Sequence, residues 1–315
     1  MGHSHQRILL ITTPILLSSK WRAKAKRQTN LSYPSITDRI VVSRIDLVVA
    51  IIAGIVQGIV EWLPVSSSGN LALFLTLVGS SPAQALQLAL FLQLGTTVAA
   101  TAYYREDIVE STAAVPDWRP SSAFEGPHAV TSFVVVATAM TGVVGIPVYV
   151  YAVDIASDLT GGVFLFLIGV LLILTGIVQV ASRSVDLGTR DEPRFLDACL
   201  VGAAQGLTIL PGISRSGTTT SVLLFREFTA PAAFRFSFLL SIPASLGAAT
   251  LTVIGAGGIP GMRLAVALTA LGVSALVGYL SIEALMRIVD AIPFWTICFG
   301  LGSLALVGGF VSVIM

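Results

Sequence analysis

Residues 54–69 read GIVQGIVEWLPVSSSG, and residues 202–217 read GAAQGLTILPGISRSG. The two stretches agree at six of their sixteen positions, and the members of each pair are 148 residue numbers apart. The shared pairs are Gly54 and Gly202, Gln57 and Gln205, Gly58 and Gly206, Ser66 and Ser214, Ser68 and Ser216, and Gly69 and Gly217. Agreement of this kind is not expected by chance, so we interpret the chain as a duplication.

Both stretches lie inside long apolar segments, Leu47–Val78 and Ala198–Phe225, that are interrupted near their middle by Pro, Gly and Ser. Non-helical backbone at membrane depth is tolerated only inside protein or beside a water-filled cavity. Each segment is therefore predicted to form a re-entrant hairpin: a half-helix, a polar break and a returning half-helix. The returning half-helices are predicted over Leu71–Val78 and Ser221–Phe225.

The remainder of the chain indicates an integral membrane protein. Of 315 residues, 55% are hydrophobic and 11% are charged, whereas a soluble domain carries roughly 25% charged residues. This composition excludes a soluble globule, a disordered chain and a collagen-like chain. One helical span needs ~20 apolar residues. Six spans are predicted, at 83–104, 129–152, 161–182, 231–255, 263–285 and 293–314.

The order of these elements predicts the topology. A re-entrant hairpin returns to its own side of the membrane, and the three spans that follow it end on the opposite side. The second copy must therefore begin on the other face, which makes the two copies inverted repeats, an architecture common in transporters. We predict an all-α membrane domain over 46–315, with repeat one at 46–182 and repeat two at 197–315.

The charges divide the chain at about residue 45. Residues 1–45 carry eight of the 18 Lys and Arg residues and one of the 17 acidic residues, so their net charge is +7, and that of the remainder is −6. The apolar run Ile8–Leu17 is too short to span a bilayer. We predict that residues 1–45 form a basic, disordered N-terminal extension outside the membrane fold.

The arginines of the loops predict an orientation. In this topology one face of the membrane receives nearly all of them, and the other receives Arg263 and the basic extension. The first group is Arg105, Arg119, Arg183, Arg190, Arg194, Arg226 and Arg287, with Arg235 nearby. The positive-inside rule makes that face cytoplasmic. Both termini of this multi-pass protein of the cell membrane would then be extracytoplasmic, although the charge of the extension opposes this.

Glu61 and Arg215 are charged residues inside the two breaks. A charge at the bilayer centre costs at least ~2.5–3.5 kcal/mol, so such residues usually have a function and a partner. Hydroxyl and amide side chains surround them: Gln57, Ser66, Ser67, Ser68, Asn70, Gln205, Ser214, Ser216, Thr218, Thr219 and Thr220. The planar fork of arginine and the free N–H groups at a helix start both suit phosphate. We therefore predict a phosphate site at membrane depth.

Simpler interpretations also exist for these residues. Serine and glycine in membrane helices often serve close packing alone, and Gln57 and Gln205 could only bridge helices. Glu61 and Arg215 could only neutralise each other. The three histidines, His3, His5 and His128, lie in the extension or at the edge of a span. This position argues against a phosphohistidine mechanism and against a metal site with histidine ligands.

Three motifs carry a resemblance to a known family. The segment 58–70, with EWLPVSSSG at 61–69, resembles the first signature of the undecaprenyl-diphosphate phosphatase family of the bacitracin-resistance type. The segment 210–219, LPGISRSGTT, resembles its second signature, and FSFLLSIP at 236–243 also fits. The resemblance covers roughly 46–315. It implies two re-entrant hairpins among six spans, as the spacing had predicted.

The resemblance also implies an activity, the hydrolysis of a polyprenyl diphosphate to the monophosphate and inorganic phosphate, which recycles a lipid carrier for cell-surface glycans. Carried over by position, Glu61, Ser67 and Arg215 would be catalytic, with Ser67 as nucleophile and Arg215 as phosphate clamp. Substrate-binding residues would be Gln57, Ser66, Ser68, Asn70, Gly212, Ser214, Ser216 and Thr218. Glu61, with Gln57, would hold a divalent cation, Mg²⁺ or Ca²⁺.

Two residues depart from the family pattern and mark the chain as a divergent member. Gln57 stands where bacterial members carry a second glutamate, and Asn70 stands where they carry histidine. Three hypotheses therefore remain: a diphosphatase, a polyprenyl-phosphate transporter or flippase without hydrolysis, and a non-catalytic scaffold. The expected partners are the lipid substrate and the membrane, with no nucleic acid. A homodimer stays open.

Overall fold

The computed structural model describes residues 44–113, 115–126, 128–183, 188–289 and 293–314. These ranges are helical, and their only strand-like feature is an isolated bridge between Arg190 and Phe228. The α-helices are α1 (Arg44–Val60), α2 (Ser67–Leu77), α3 (Pro82–Tyr103), α4 (Arg105–Ala113), α5 (His128–Asp158), α6 (Gly161–Arg183), α7 (Phe195–Leu207), α8 (Arg215–Phe225), α9 (Ala230–Ala256), α10 (Leu264–Val289) and α11 (Phe294–Ile314). Short 3₁₀ turns lie at Val115–Asp117 and Pro120–Ser122.

Six of these helices are long and apolar enough to cross a membrane: α3, α5, α6, α9, α10 and α11. They coincide with the six predicted spans, which are thereby confirmed as helices, and the chain is a multi-pass membrane protein. The predicted extension, except for Arg44 and Ile45, lies outside the described residues. The orientation of the helices relative to the two membrane faces stays a prediction.

The two interrupted apolar segments form helix pairs, α1 with α2 and α7 with α8, separated by non-helical residues 61–66 and 208–214. The second helix of each pair begins at Ser67 and Arg215, several residues before the predicted starts, Leu71 and Ser221. The prediction was wrong there because serine caps each helix. Ser66 Oγ accepts from the backbone N–H of Gly69 at 3.3 Å, and Ser214 Oγ accepts from that of Gly217 at 3.1 Å.

The first helix of each broken pair packs against a long helix from the other half of the chain. Helix α1 packs along α10, and its counterpart α7 packs along α5. Glycine allows both approaches: a Cβ atom on Gly54 would lie 2.6 Å from the carbonyl oxygen of Ala270, and one on Gly202 would lie 2.3 Å from that of Ala137. This reciprocity agrees with the duplication interpreted from the sequence. That the hairpins are re-entrant and the copies inverted in the membrane stays a prediction.

Helix α3 lies at the centre of the membrane domain. Its most apolar window is 72% buried, compared with 22% for α5 and for α11, and it packs against α2, α9 and α10. Polar side chains on the inner faces of α3 and α9 therefore have no route to lipid. They can be satisfied only by neighbouring helices or by a ligand.

An ionic cluster joins the start of α7 to the end of α8 in the second helix pair. Asp197 is fully buried in the first turn of α7 and accepts from Arg190 Nη2 and from Arg226 Nε, both at 2.7 Å. Arg226 follows α8, so the two arms of the pair are tied together. Burial alone would raise the pKa of Asp197, but the hydrogen bonds from both arginines outweigh it and the pKa is lowered.

Candidate active site

The two breaks touch each other. Ser66 Oγ accepts from the backbone N–H of Gly212 at 3.1 Å, so the first break is bonded directly to the second. The contact is close, because a Cβ atom on Gly69 would lie 2.6 Å from the nitrogen of Gly212. Side chains on either break therefore face one common site.

Glu61 and Arg215 form an ion pair between the two breaks, Arg215 Nη2 donating to Glu61 Oε1. Both side chains are sheltered, with 3% of Glu61 and 16% of Arg215 exposed. The structure thus brings together the two charges that the sequence analysis placed at membrane depth. Neutralisation is one consequence of the pair, but both side chains have further partners.

The second oxygen of Glu61 accepts two more hydrogen bonds. Ser67 Oγ donates to Oε2 at 2.6 Å, and Gln57 Nε2 donates to the same atom at 2.6 Å. A hydroxyl bonded to a carboxylate can pass it the proton when the hydroxyl oxygen attacks an electrophile. Ser67 and Glu61 are therefore within reach of each other as nucleophile and general base.

The guanidinium of Arg215 is also held from α9. Nη1 donates to the carbonyl oxygen of Ser241 at 3.3 Å and to Ser245 Oγ. Ser245 Oγ donates in turn to Gln93 Oε1 of α3 at 3.2 Å. Neither Gln93 nor Ser245 was predicted from the sequence, although a glutamine in the middle of an apolar span indicates a buried polar contact.

These side chains line a cavity where the breaks meet α3, α5 and α9. Seven predicted residues are in its lining: Glu61, Ser66, Ser67, Ser68, Ser214, Arg215 and Ser216. Its other polar residues are Gln93, Thr141, Gln205 and Thr208, and its apolar residues are Leu63, Leu90, Ile209, Ala244 and Ala248. A cavity that combines hydroxyls, one guanidinium and an apolar wall suits a ligand with an anionic head and a hydrocarbon tail.

Four predicted site residues do not line the cavity: Gln57, Asn70, Gly212 and Thr218. Asn70 Nδ2 donates to the carbonyl oxygens of Val65 and Ser66, at 2.8 and 3.0 Å, and so stabilises the first break. Gln57 donates a hydrogen bond to the carboxylate of Glu61. Gly212 has a φ of +109°, which permits the turn of the second break.

The cation site of Glu61 and Gln57 stays a prediction, and in this structure the two side chains are hydrogen-bonded to each other. Gln57 directs its amide N–H group at the carboxylate, so the two side chains do not turn two oxygens toward one ion. In the described part of the chain, no group of three His, Cys, Asp or Glu side chains could hold a metal ion. Among the residues that line the cavity, Glu61 supplies the one carboxylate.

The fold and the site define a helical integral membrane protein whose Ser, Glu and Arg cluster is enclosed between two broken helix pairs. Residues 50–304 match the family described as "Bacitracin resistance protein BacA". The chain belongs to this family, which confirms the resemblance carried by the three motifs.

Curated relatives cover nearly the whole membrane domain. An undecaprenyl-diphosphatase of Haloarcula marismortui is 48% identical over 266 residues, which are 84% of this chain and 97% of the relative. An undecaprenyl-diphosphatase of Methanococcoides burtonii is 40% identical over 81% of this chain and 96% of its own length. One of Methanopyrus kandleri is 38% identical over 83% and 96%.

Proposed function

We propose that this protein hydrolyses undecaprenyl diphosphate, or a polyprenyl diphosphate of similar length, to the monophosphate and inorganic phosphate. The observation that carries the proposal is the contact of Ser67 and Arg215 with opposite oxygens of Glu61 inside one cavity. The names of the curated relatives support the same activity. The reaction would return the lipid carrier for reuse in glycan synthesis.

In the proposed reaction, Ser67 Oγ attacks the terminal phosphorus atom of the diphosphate. A new P–O bond forms to Ser67, the bond from phosphorus to the bridging oxygen breaks, and the polyprenyl monophosphate leaves. The proton of Ser67 passes to Glu61 Oε2, with which Ser67 is already hydrogen-bonded. Glu61 gives this proton to the departing monophosphate and is a carboxylate again. A water molecule then attacks the phosphorus atom of the phosphoserine and passes a proton to Glu61. The P–O bond to Ser67 breaks, Glu61 returns the proton to Ser67 Oγ, and inorganic phosphate leaves.

Arg215 would stabilise the charge on the equatorial oxygens of the transferred phosphoryl group. It is the first residue of α8, and Ser67 is the first residue of α2, so two helix starts lie at the site. The partial positive charge of a helix start adds to that of the guanidinium. Leu63, Ile209 and Ala248 would contact the first units of the prenyl chain.

Three finer points belong to the same proposal. A divalent cation, Mg²⁺ or Ca²⁺, would have to be held by Glu61 and by oxygens of the diphosphate itself. The protein would lie in the cell membrane with both termini outside, which places the loop arginines in the cytoplasm. A homodimer would be compatible with this arrangement.

The test is phosphate release from undecaprenyl diphosphate by the purified full chain in detergent, with Mg²⁺, with Ca²⁺ and with chelator. The wild type should release phosphate, and Ser67→Ala should release at least about 100-fold less. The matched control is Ser68→Ala, since Ser68 lines the cavity, whereas the side-chain hydrogen bonds to Glu61 come from Gln57, Ser67 and Arg215. Ser68→Ala should lose less phosphate-release activity than Ser67→Ala.

The same preparation separates the alternatives. Phosphate release that is lost in Ser67→Ala excludes the transporter and scaffold hypotheses as complete descriptions. Movement of a polyprenyl phosphate across vesicles without phosphate release would contradict the proposed function. If Ser67→Ala released phosphate as fast as the wild type, the protein would still be a hydrolase, but Ser67 would not be its nucleophile.

A further inference from the structure

The amide oxygen of Gln93 accepts a hydrogen bond from a protein group, and in the described part of the chain its amide nitrogen donates none. Only 9% of the residue is exposed, and it lines the cavity between the two breaks. Its Oε1 atom accepts from Ser245 Oγ at 3.2 Å. Within the described ranges its Nε2 group donates to no protein atom, so this donor is available to a ligand in the cavity that Gln93 lines.

The contacts of Ser245 determine which way this amide points. A serine hydroxyl has one proton. Ser245 Oγ receives a hydrogen bond from Arg215 Nη1, so its proton is free to go to Gln93 Oε1. Exchanging the oxygen and nitrogen of the amide would remove that acceptor. The N–H₂ group is therefore the end of Gln93 that remains for a ligand in the cavity.

The same chain of contacts sets the orientation of the guanidinium. Nη1 of Arg215 is engaged by Ser241 and Ser245, and one N–H of Nη2 is engaged by Glu61. Among the described residues, Nε–H and the second N–H of Nη2 donate to no atom. These two donors remain for phosphate oxygens, which the guanidinium fork binds well.

We propose that Gln93 binds a phosphate oxygen of the substrate through Nε2 and positions Arg215 through Ser245. Three donors, two from Arg215 and one from Gln93, then converge on the diphosphate from the side of α3 and α9. This inference rests on the proposed hydrolysis for its substrate. It assigns the central helix α3, which contributed no predicted site residue, a direct part in binding.

Two substitutions of Gln93 separate its two contacts. Gln93→Leu removes both the donor and the acceptor, and kcat/KM should fall about 10- to 100-fold, the effect of one hydrogen bond to a charged group. Gln93→Glu keeps an acceptor for Ser245 but replaces the donor by an anion, so KM should rise further at neutral pH. Activity of this variant should recover as the pH falls, because protonation of the carboxyl group restores a donor.

The positioning contact has its own variant and a matched control. Ser245→Ala keeps the Gln93 side chain but removes the hydroxyl that links it to Nη1 of Arg215, which then retains only the carbonyl oxygen of Ser241. The loss of activity should appear mainly in kcat. Thr97→Val is the control, because Thr97 is on the same helix and is similarly buried, and its hydroxyl bonds only the backbone carbonyl of Gln93. Thr97→Val should keep wild-type kcat and KM.

Binding is measured separately from turnover, with undecaprenyl diphosphate and Ser67→Ala protein in nanodiscs. Adding Gln93→Leu should weaken the Kd about tenfold, and adding Thr97→Val should not change it. Wild-type Kd and KM in Gln93→Leu, or Gln93→Glu with wild-type KM at neutral pH, would overturn the inference. Absence of phosphate release by the wild type would overturn the proposed function instead, and the Kd comparison would still decide the role of Gln93.

Discussion

Ser66 and Gly212, 146 residues apart, are joined by a hydrogen bond of 3.1 Å from the backbone N–H of Gly212 to Ser66 Oγ. The same oxygen caps α2 by accepting from the N–H of Gly69. Ser66 has a φ of +60°, a left-handed conformation that costs a non-glycine residue energy. One hydroxyl therefore starts a helix and fastens the two breaks together, so the site depends on a close fit between the halves of the chain.

This fit predicts the effect of Gly69→Ala. The new Cβ would lie 2.6 Å from the nitrogen and 2.9 Å from the Cα of Gly212, and backbone atoms cannot yield as a flexible side chain does. We expect the breaks to separate, phosphate release to fall more than about 10-fold, and the free energy of unfolding to drop by about 1–3 kcal/mol. Activity and thermal unfolding in detergent measure both effects.

Gly272→Ala is the matched control for that prediction. Gly272 is exposed in the interior of α10, and a Cβ there would meet no atom within 4 Å. Alanine is the better helix former, so this variant should be as stable and active as the wild type. If Gly69→Ala and Gly272→Ala had the same phosphate release and the same stability, the prediction for Gly69→Ala would be contradicted.

The duplication explains why so much of the fold could be predicted. Runs of about 20 apolar residues predict spans without any tertiary information, and the repeated motif placed both breaks. Glu61 and Arg215 were placed at membrane depth, where a charge needs a partner, and the structure pairs them with each other. The interruptions by Pro, Gly and Ser also showed where the helix pairs lie, but they did not give the starts of α2 and α8, which depend on capping by Ser66 and Ser214.

Residues outside the motifs could not be predicted in the same way. Gln93 and Ser245 lie on spans whose composition is ordinary, and their function depends on which faces of α3 and α9 meet Arg215. The copies also differ where they matter most: Ile209 occupies the position equivalent to Glu61. Both residues line the cavity, so these equivalent positions contribute a carboxylate from one break and an apolar side chain from the other.

Glu61→Gln tests the proton acceptor. The amide oxygen of glutamine can still accept from Ser67 and Gln57, but its N–H₂ group cannot accept from Arg215, and the side chain cannot take a proton. We expect kcat to fall by about 10²–10⁴-fold, the usual contribution of a general base, with a smaller change in KM. Glu106→Gln is the control, since the Glu106 side chain is 87% exposed and contacts Arg105. A Glu61→Gln enzyme with wild-type kcat would exclude Glu61 as the base.

Gln57→Glu tests the link between this position and a divalent cation. A second carboxylate would face Glu61 where an amide N–H now donates at 2.6 Å. Two adjacent carboxylates repel each other unless a proton or a cation lies between them. We expect Mg²⁺ or Ca²⁺ to raise the Tm of Gln57→Glu more than that of the wild type, and a chelator to reverse the gain. An identical cation response in the two proteins would contradict the prediction.

Asp197→Asn tests the ionic cluster at the base of the second helix pair. Removing one member of a buried ion pair costs roughly 3–5 kcal/mol, so the variant should have a lower Tm at neutral pH. Because the pKa of Asp197 is lowered in the folded protein, its contribution is complete above the unfolded pKa of about 3.9 and is lost as the pH falls through the folded value. The Tm difference between wild type and Asp197→Asn should therefore be constant from pH 6 to 8 and should narrow below about pH 4. Asp191→Asn is the control, since Asp191 accepts from Thr229 at the exposed surface and is not part of the cluster. A difference in Tm that grows on acidification would refute the assigned direction of the pKa shift.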